Sequence, residues 1–166
     1  MSTTRIRIDE HTEVTVESTA FAVAVQAVTE IAAPVDAVWH VLSATDRYSS
    51  WNPFVTSFTG TLVAGERITV TLALPRRKPQ TMKPTLVSVT PGLGFEWLGR
   101  VGAPGILDGR HRFVLEPLGA DRCRLVHHER LSGMLVPMFR TMLTVNTPEA
   151  FVALNQALAR EAVRHG

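Results

Sequence analysis

The stretch from residue 107 to residue 131, LDGRHRFVLEPLGADRCRLVHHERL, decides the fold. Its two outer runs, 107–116 and 123–131, alternate in polarity, and the turn-forming sequence Leu118-Gly119-Ala120-Asp121 lies between them. Alternation with a period of two is typical of strands that bury one face. We therefore predict a β-hairpin with one face against the core and the other face in solvent.

The alternation gives a direction to each polar side chain of this hairpin. In the first strand His111 shares a face with Phe113, so it should point inward. In the second strand His127 and Glu129 share the face of Leu125, so they should point inward as well. Both apolar faces stay together only if the paired residue numbers sum to about 238 or 240, which places His111 opposite His127 or Glu129.

Three ionisable groups on one inward face are the strongest functional signal in the chain. His111 and Glu129 would lie within hydrogen-bonding reach, directly or through one water. Paired groups on a dry surface often have the shifted pKa values of acid–base catalysts, so His111, Glu129 and His127 are the candidate catalytic residues. Two alternatives stay open: the pair fixes the register or orients a ligand, or the three side chains bind a metal. Because the sequence shows no residues that would support a metal centre, no metal is predicted.

Short alternating or β-branched runs continue upstream of the hairpin, separated by glycine and proline. They predict an antiparallel meander, because no connecting stretch is long enough for a crossover helix. An earlier strand is predicted over 21–31, followed by a short helix that begins at Pro34 and a second short helix before Trp51. The predicted strands of the meander are 54–63, 66–74, 80–89, 94–100, 107–116 and 123–131.

A helical period returns after Gly133. Apolar residues recur on one stripe up to Asn146 and on a second stripe from Phe151. Since Pro148 lies between the stripes, we expect either a kink or a new helix capped by Thr147. The predicted class is α+β, with a curved antiparallel sheet of about seven strands wrapped around a long C-terminal helix.

The length of 166 residues suits one domain over 20–166, preceded by a polar extension over 1–19. The extension alternates weakly at 5–8 and 14–16, so we expect at most one loosely held edge strand there. Cys123 is the only cysteine, and neither a signal peptide nor a membrane span is found, so a cytoplasmic protein is expected. The formal net charge of +2 is scattered, which argues against nucleic-acid binding.

Further side chains are candidates for a ligand pocket. Aromatic residues and methionines suit a cavity that tolerates different ligand shapes, although both also pack in cores. The candidate ligand-binding residues are Trp97, Phe113, Phe95, Asn52, Met138, Met142 and Asn155. A basic cluster, Arg76, Arg77 and Lys78, is expected at a loop tip. It is either simply solvated or attracts an acidic carrier protein, or the phosphate arm of a thioester-linked substrate.

Several local sequences occur in a recognisable order and spacing. They are Ile31-Ala32-Ala33-Pro34, Val38-Trp39, Trp51-Asn52-Pro53-Phe54, Trp97, His111-Arg112-Phe113 and Glu129-Arg130-Leu131-Ser132-Gly133. In these features the chain, from about residue 20 to residue 162, resembles the START-like helix-grip (SRPBCC) superfamily and its polyketide cyclase/dehydrase branch. The resemblance implies the helix-grip fold and an internal pocket for a small hydrophobic molecule.

The resemblance also suggests a reaction. In members that act as aromatic polyketide cyclases, polar groups of the pocket orient a poly-β-keto chain and move protons at its enolisable carbons, which implies such roles for His111 and Glu129, with His127 beside them. Motifs for a serine nucleophile, for phosphate and for dinucleotides are missing, so no cofactor is predicted. The first hypothesis is a cofactor-independent enzyme that cyclises or dehydrates a hydrophobic carbonyl compound. The alternative is a non-catalytic carrier of a lipid or an aromatic metabolite, because this fold serves both.

Overall fold

A seven-stranded antiparallel sheet packs around the C-terminal helix in the computed structural model, which describes residues 1–165. The strands in chain order are β1 (Ser2–Arg7), β2 (Thr12–Ser18), β3 (Ala22–Ile31), β4 (Val55–Thr59), β5 (Thr69–Leu72), β6 (Gln80–Met82), β7 (Thr85–Thr90), β8 (Gly94–Val101), β9 (Leu107–Pro117) and β10 (Cys123–Ser132). The main sheet has the order β1-β2-β3-β10-β9-β8-β7, and β4-β5-β6 form a smaller sheet. The predicted α+β class and its antiparallel sheet are confirmed.

The meander departs from the prediction in two respects, because β4, β5 and β6 form a separate sheet and one predicted strand is broken. The strand predicted over 80–89 is divided into β6 and β7 by Lys83 and Pro84. Proline has no N–H to donate to a strand ladder, so an unbroken strand cannot run through this position without losing a bond. The two sheets stay connected, because the N–H of Ile68 donates to the carbonyl of Pro84 at 2.9 Å.

Two short helices follow β3, as predicted. They are α1 (Val35–Ser43) and α2 (Tyr48–Trp51), separated by a 3-10 turn over Thr45–Arg47. Pro34 precedes α1 in an extended conformation and so lies one position earlier than expected. The buried face of α1 consists of Val38, Val41 and Leu42.

The C-terminal helix is continuous but changes its winding. In chain order it consists of α3 (Val136–Thr141), a π-helical turn (Met142–Asn146) and α4 (Thr147–His165). The N–H of Thr147 donates to the carbonyl of Met142, five residues back. This wide turn accommodates Pro148, whose ring would clash with the carbonyl of Thr144 in a regular α-helix. Thr147 itself has helical dihedral angles, so the break takes the form of a wider turn and not of a newly capped helix.

The N-terminal segment is more ordered than the weak alternation suggests. It contains two strands, and β2 pairs with β3 over its whole length. Val14 and Val16 are only 1% and 9% exposed, because β2 covers part of the core. The expectation of a loosely held segment is therefore wrong for β2. The side chains of β1 are all exposed, and only its pairing with β2 connects it to the sheet.

The long helix closes the core on the inner side of the main sheet. On α4 the side chains of Phe151, Leu154 and Leu158 are fully buried. Within residues 1–165, none of the helices combines the length and the apolar character that crossing a bilayer requires.

Candidate active site

The β9–β10 hairpin has the register in which paired residue numbers sum to 240. Glu129 lies directly opposite His111, and His127 lies opposite Phe113. The Oε1 atom of Glu129 is 3.6 Å from Nδ1 of His111. Both histidines are fully buried, and the Glu129 side chain is 13% exposed. The predicted inward direction of all three side chains is therefore confirmed.

The two imidazoles contact each other and are enclosed by aromatic rings. Their Nε2 atoms are 2.7 Å apart, which is a hydrogen-bonding distance. His111 stacks on Trp97 with ring centroids 4.5 Å apart, and His127 stacks on Phe151 at 3.6 Å. Each Nε2 atom therefore has the other imidazole as its partner. No cluster of His, Cys, Asp and Glu suited to a metal ion occurs among the described residues.

Burial changes the protonation of all three groups. The loss of hydration lowers the pKa of His111 to about 3, with a smaller contribution from the nearby His128. It also lowers the pKa of His127 well below its ordinary value, and the neighbouring His111 adds to this effect. The same loss raises the pKa of Glu129 to about 7, against a smaller opposing effect of His128. Both imidazoles are therefore neutral, while Glu129 exchanges its proton near neutral pH, which suits a general acid or base.

A cavity of about 370 Å³ opens beside Glu129. Among the described residues that line it, Glu129 is the one carboxylate. Its opening is marked by lining residues that are exposed to solvent, namely Arg77, Lys78, Gln80, Thr81 and Val101. The apolar part of the wall consists of Phe54, Leu72, Leu74, Met82, Trp97, Leu107, Leu131, Phe139, Met142 and Leu143.

Two glycines leave room next to the carboxyl group. Gly99 and Gly109 are cross-strand partners, and each continues the inward-facing row of its strand, after Trp97 in β8 and before His111 in β9. A Cβ atom on Gly109 would lie 3.6 Å from Oε1 of Glu129. Any longer side chain at this position would therefore occupy the cavity.

Residues 22–163 match the family model described as polyketide cyclase / dehydrase and lipid transport. The chain belongs to this family. Comparison with curated proteins finds no match.

Solved structures agree on the fold of this polyketide cyclase/dehydrase family member. The Zhui aromatase/cyclase from Streptomyces sp. R1128 has a TM-score of 0.71 and 19% sequence identity, over 86% of this chain and 94% of that chain. A START superfamily protein from Mycobacterium smegmatis has a TM-score of 0.67 and 16% identity, over 85% and 97%. Norcoclaurine synthase from Thalictrum flavum, in complex with dopamine and hydroxybenzaldehyde, has a TM-score of 0.67 and 15% identity, over 87% and 88%. At these identities the likeness establishes the helix-grip fold alone.

The predicted apolar ligand-binding residues of the family member divide into three groups. Trp97 and Met142 line the cavity. Phe95 and Phe113 are buried and pack against Trp97 with ring centroids 6.0 and 5.9 Å away, so they support the wall without forming it. The prediction for Met138 is wrong, because this side chain is 67% exposed on the outer side of α3. Its neighbour Phe139 lines the cavity in its place.

The two predicted asparagines bind protein atoms outside the cavity wall. The buried Asn155 accepts a hydrogen bond at Oδ1 from Nδ1 of His127, over 2.9 Å. Asn52 accepts hydrogen bonds at Oδ1 from the N–H groups of Phe54 and Val55, at 3.0 and 2.8 Å. The prediction of direct ligand contact is therefore wrong for both residues. Asn52 holds the turn that brings Phe54 to the cavity, and Asn155 holds a histidine.

The basic cluster lies in the loop between β5 and β6, but its members differ in their surroundings. Arg77 and Lys78 border the cavity. Arg76 instead forms a two-point ion pair with Glu149 at the start of α4, with distances of 3.2 and 2.7 Å. The loop is thereby held against the C-terminal helix, with two cationic side chains at the opening.

Two parts of the site were missed by the sequence analysis. The glycine pair was predictable, because Gly99 and Gly109 occupy inward positions of strands, and the alternation that places His111 inward also places Gly109 inward. The wall formed by Leu72 and Leu74 had none, since alternation cannot show that β4-β5-β6 separate from the main sheet and face the cavity from the other side.

Proposed function

We propose that the protein is an enzyme that binds a small hydrophobic carbonyl compound and promotes its cyclisation or dehydration by proton transfer through Glu129. The observation that carries the proposal is a carboxyl group with a pKa raised to about 7 at the wall of an apolar cavity. A group that is half-ionised near working pH can both take and return a proton. Membership of the polyketide cyclase / dehydrase family supports the reaction class.

Glu129 acts in both proton-transfer steps of the reaction. In its ionised form it removes a proton from a carbon next to a carbonyl group. In a cyclisation the resulting enolate carbon bonds to a second carbonyl carbon of the same molecule, and the new alkoxide takes the proton back from Glu129. In a dehydration the proton is returned to a hydroxyl group, which leaves as water. His111, 3.6 Å away, is the partner of the carboxyl group, and His127 lies behind it.

The cavity limits the size of the substrate. An apolar cavity of roughly 150 Å³ holds one benzene molecule. A volume of about 370 Å³ therefore suits a compound of about two rings, or a short poly-keto chain folded to that size. Trp97 and Phe54 offer flat surfaces against which such a compound would stack.

The cations at the opening suit a substrate that arrives on an anionic carrier. Arg77 and Lys78 are exposed at the cavity, where they would attract an acidic carrier protein or the phosphate of a thioester-linked arm. Arg76 has a smaller share in this proposal, because Glu149 already neutralises it.

The test uses a synthetic poly-β-keto thioester mimic and measures the cyclised product by liquid chromatography and mass spectrometry. Glu129→Gln and His111→Ala should keep the fold, and Glu129→Gln should reduce turnover about 100-fold or more. Glu116→Gln is the matched control, since it removes a carboxylate from the outer face of β9. Unchanged product formation in both Glu129→Gln and His111→Ala would refute the proposed mechanism.

A non-catalytic carrier is the second candidate, because the description of the family includes lipid transport. Native mass spectrometry of the purified protein, followed by identification of any released molecule, separates the two. A retained lipid, together with binding that Glu129→Gln changes only a few-fold and no product on long incubation, would favour the carrier.

A further inference from the structure

The orientation of one buried amide is fixed by the backbone. Nδ2 of Asn155 donates to the carbonyl of Ala27 at 3.3 Å and to Oγ1 of Thr29 at 3.1 Å. A backbone carbonyl can only accept a hydrogen bond, so the nitrogen must face this side. The oxygen of Asn155 consequently faces His127, at 2.9 Å from its Nδ1 atom.

This orientation determines where both imidazoles carry their protons. An amide oxygen only accepts, so Nδ1 of His127 must be the protonated nitrogen. A neutral His127 then has a lone pair at Nε2, and the 2.7 Å contact requires Nε2 of His111 to donate. A neutral His111 is thereby left with a lone pair at Nδ1, the atom that faces Glu129. Nδ1 of His111 is buried and has no hydrogen-bond partner.

We propose that Asn155 is a positioning residue that fixes the tautomers of His127 and His111, so that His111 presents a lone pair to Glu129 and the carboxyl group is held as the proton donor at the cavity. The catalytic meaning of this arrangement rests on the function proposed above. The arrangement of protons itself does not, and it can be measured without a substrate.

The charges around Glu129 agree with this arrangement. His111 offers the carboxylate no N–H, so ionisation receives no stabilising hydrogen bond from β9. On β10 the adjacent His128 favours the ionised form slightly. Arg77 and Lys78, from the loop between β5 and β6, are cations on the same cavity and would also favour it. Despite these cations the pKa of Glu129 is raised to about 7, which fits a site where burial dominates and the nearest ring nitrogen accepts.

Removing the amide should reverse the chain of donors. In Asn155→Leu, Nδ1 of His127 has no acceptor, so the tautomer with the proton on Nε2 becomes favourable. That proton is donated to His111, whose own proton then moves to Nδ1 and points at Glu129. A new donor stabilises the carboxylate, so the pKa of Glu129 should fall by about one unit or more.

Nitrogen-15 NMR of the histidine side chains distinguishes the two tautomers, and carbon-13 NMR follows the Glu129 carboxyl. In the unmodified protein we expect His127 protonated at Nδ1 and His111 at Nε2. Asn155→Leu should invert both assignments and lower the Glu129 midpoint. Thr29→Val is the matched control: it removes another buried partner of the same amide but leaves the bond to Ala27, so both tautomers should stay. Asn155→Val serves as the second variant if leucine is not accommodated.

The outcomes separate this inference from the proposed function. A proton on Nδ1 of His111 in the unmodified protein would overturn the inference, whether or not any variant folds. So would unchanged tautomers and an unchanged Glu129 midpoint in a folded Asn155 variant. Inverted tautomers in the variant together with a catalytically inactive unmodified protein would uphold the positioning role and reject the enzyme. Turnover by a protein that lacks the predicted tautomers would reject the positioning role of Asn155 and uphold the enzyme.

Discussion

At the scale of single residues, Glu129 is an acid that the fold buries beside an acceptor. An ionised carboxylate in an apolar wall is unfavourable unless donors or cations compensate it. Its closest ring nitrogen, Nδ1 of His111, lies 3.6 Å away and is the nitrogen that the hydrogen bonds leave unprotonated. The site therefore favours the protonated carboxyl group, so ionisation of Glu129 destabilises the folded protein.

Replacing Glu129 by glutamine should stabilise the protein, and increasingly so as the pH rises. The folded pKa of about 7 lies above the ordinary 4.5, so the neutral form adds stability below pH 4.5 that is lost as the pH rises through 7. The amide of Glu129→Gln stays neutral over the whole pH range, so the variant never buries a charge at this position. The difference in free energy of unfolding between the variant and the unmodified protein should increase by about 3 kcal/mol from pH 4.5 to pH 8, in favour of the variant. Urea unfolding at several pH values measures this, and a constant difference would contradict the raised pKa.

Gly109 controls the space next to the carboxyl group. In Gly109→Leu a side chain fills the cavity beside Glu129, so binding of a two-ring aromatic ketone should weaken at least about tenfold, whereas Gly109→Ala should bind with a smaller loss. Trp97 lines the cavity and provides a fluorescence signal for the titration. Equal affinity of the leucine variant and the unmodified protein would show that ligands bind elsewhere.

At the scale of elements, the first two strands differ in what they contribute. Deleting residues 1–7 removes β1, whose side chains are all exposed, and should change the free energy of unfolding little. Deleting 1–19 also removes the buried Val14 and Val16, at about 1.5–3 kcal/mol each. Chemical denaturation of the two truncated proteins compares them. Equal stability of both would mean that β2 is not part of the core.

The elements also show what the sequence can and cannot predict. The β9–β10 hairpin was predictable to within two registers, because sums of 238 and 240 both keep His111, Phe113 and Glu129 on a common face, and the structure has the second. The interruption before Pro148 was visible, but its form as a wide turn was not, and the division at Pro84 was missed because the strand was predicted to run unbroken over 80–89. Asn155 was predicted to contact a ligand, and nothing in the sequence shows that its partner is His127.

At the scale of the whole molecule, two neutral histidines in one core make the fold sensitive to acid. Their folded pKa values lie below the ordinary 6.5, so their contribution to stability is present above pH 6.5 and is lost as the pH falls. Glu129 acts in the opposite direction, but one carboxyl group opposes two histidines, so the balance between pH 6.5 and 5 is a loss of stability as the pH falls.

A double variant isolates this effect. His111→Phe combined with His127→Phe keeps aromatic rings in the stack but removes both titrating groups. Its stability should fall much less between pH 6.5 and 5, because Glu129 then opposes only His128, whose pKa burial also lowers. Thermal unfolding across this range records the slope. Equal slopes in the double variant and the unmodified protein would mean that other groups cause the acid sensitivity.

The most direct test of the account is a carbon-13 NMR titration of the Glu129 carboxyl in the unmodified protein, assigned by its loss in Glu129→Gln. We expect a midpoint of about 7, which would place a proton-exchanging acid at the cavity wall. A midpoint near the ordinary 4.5 would contradict it, because burial would then not raise the pKa and the carboxyl group would not be half-ionised near neutral pH.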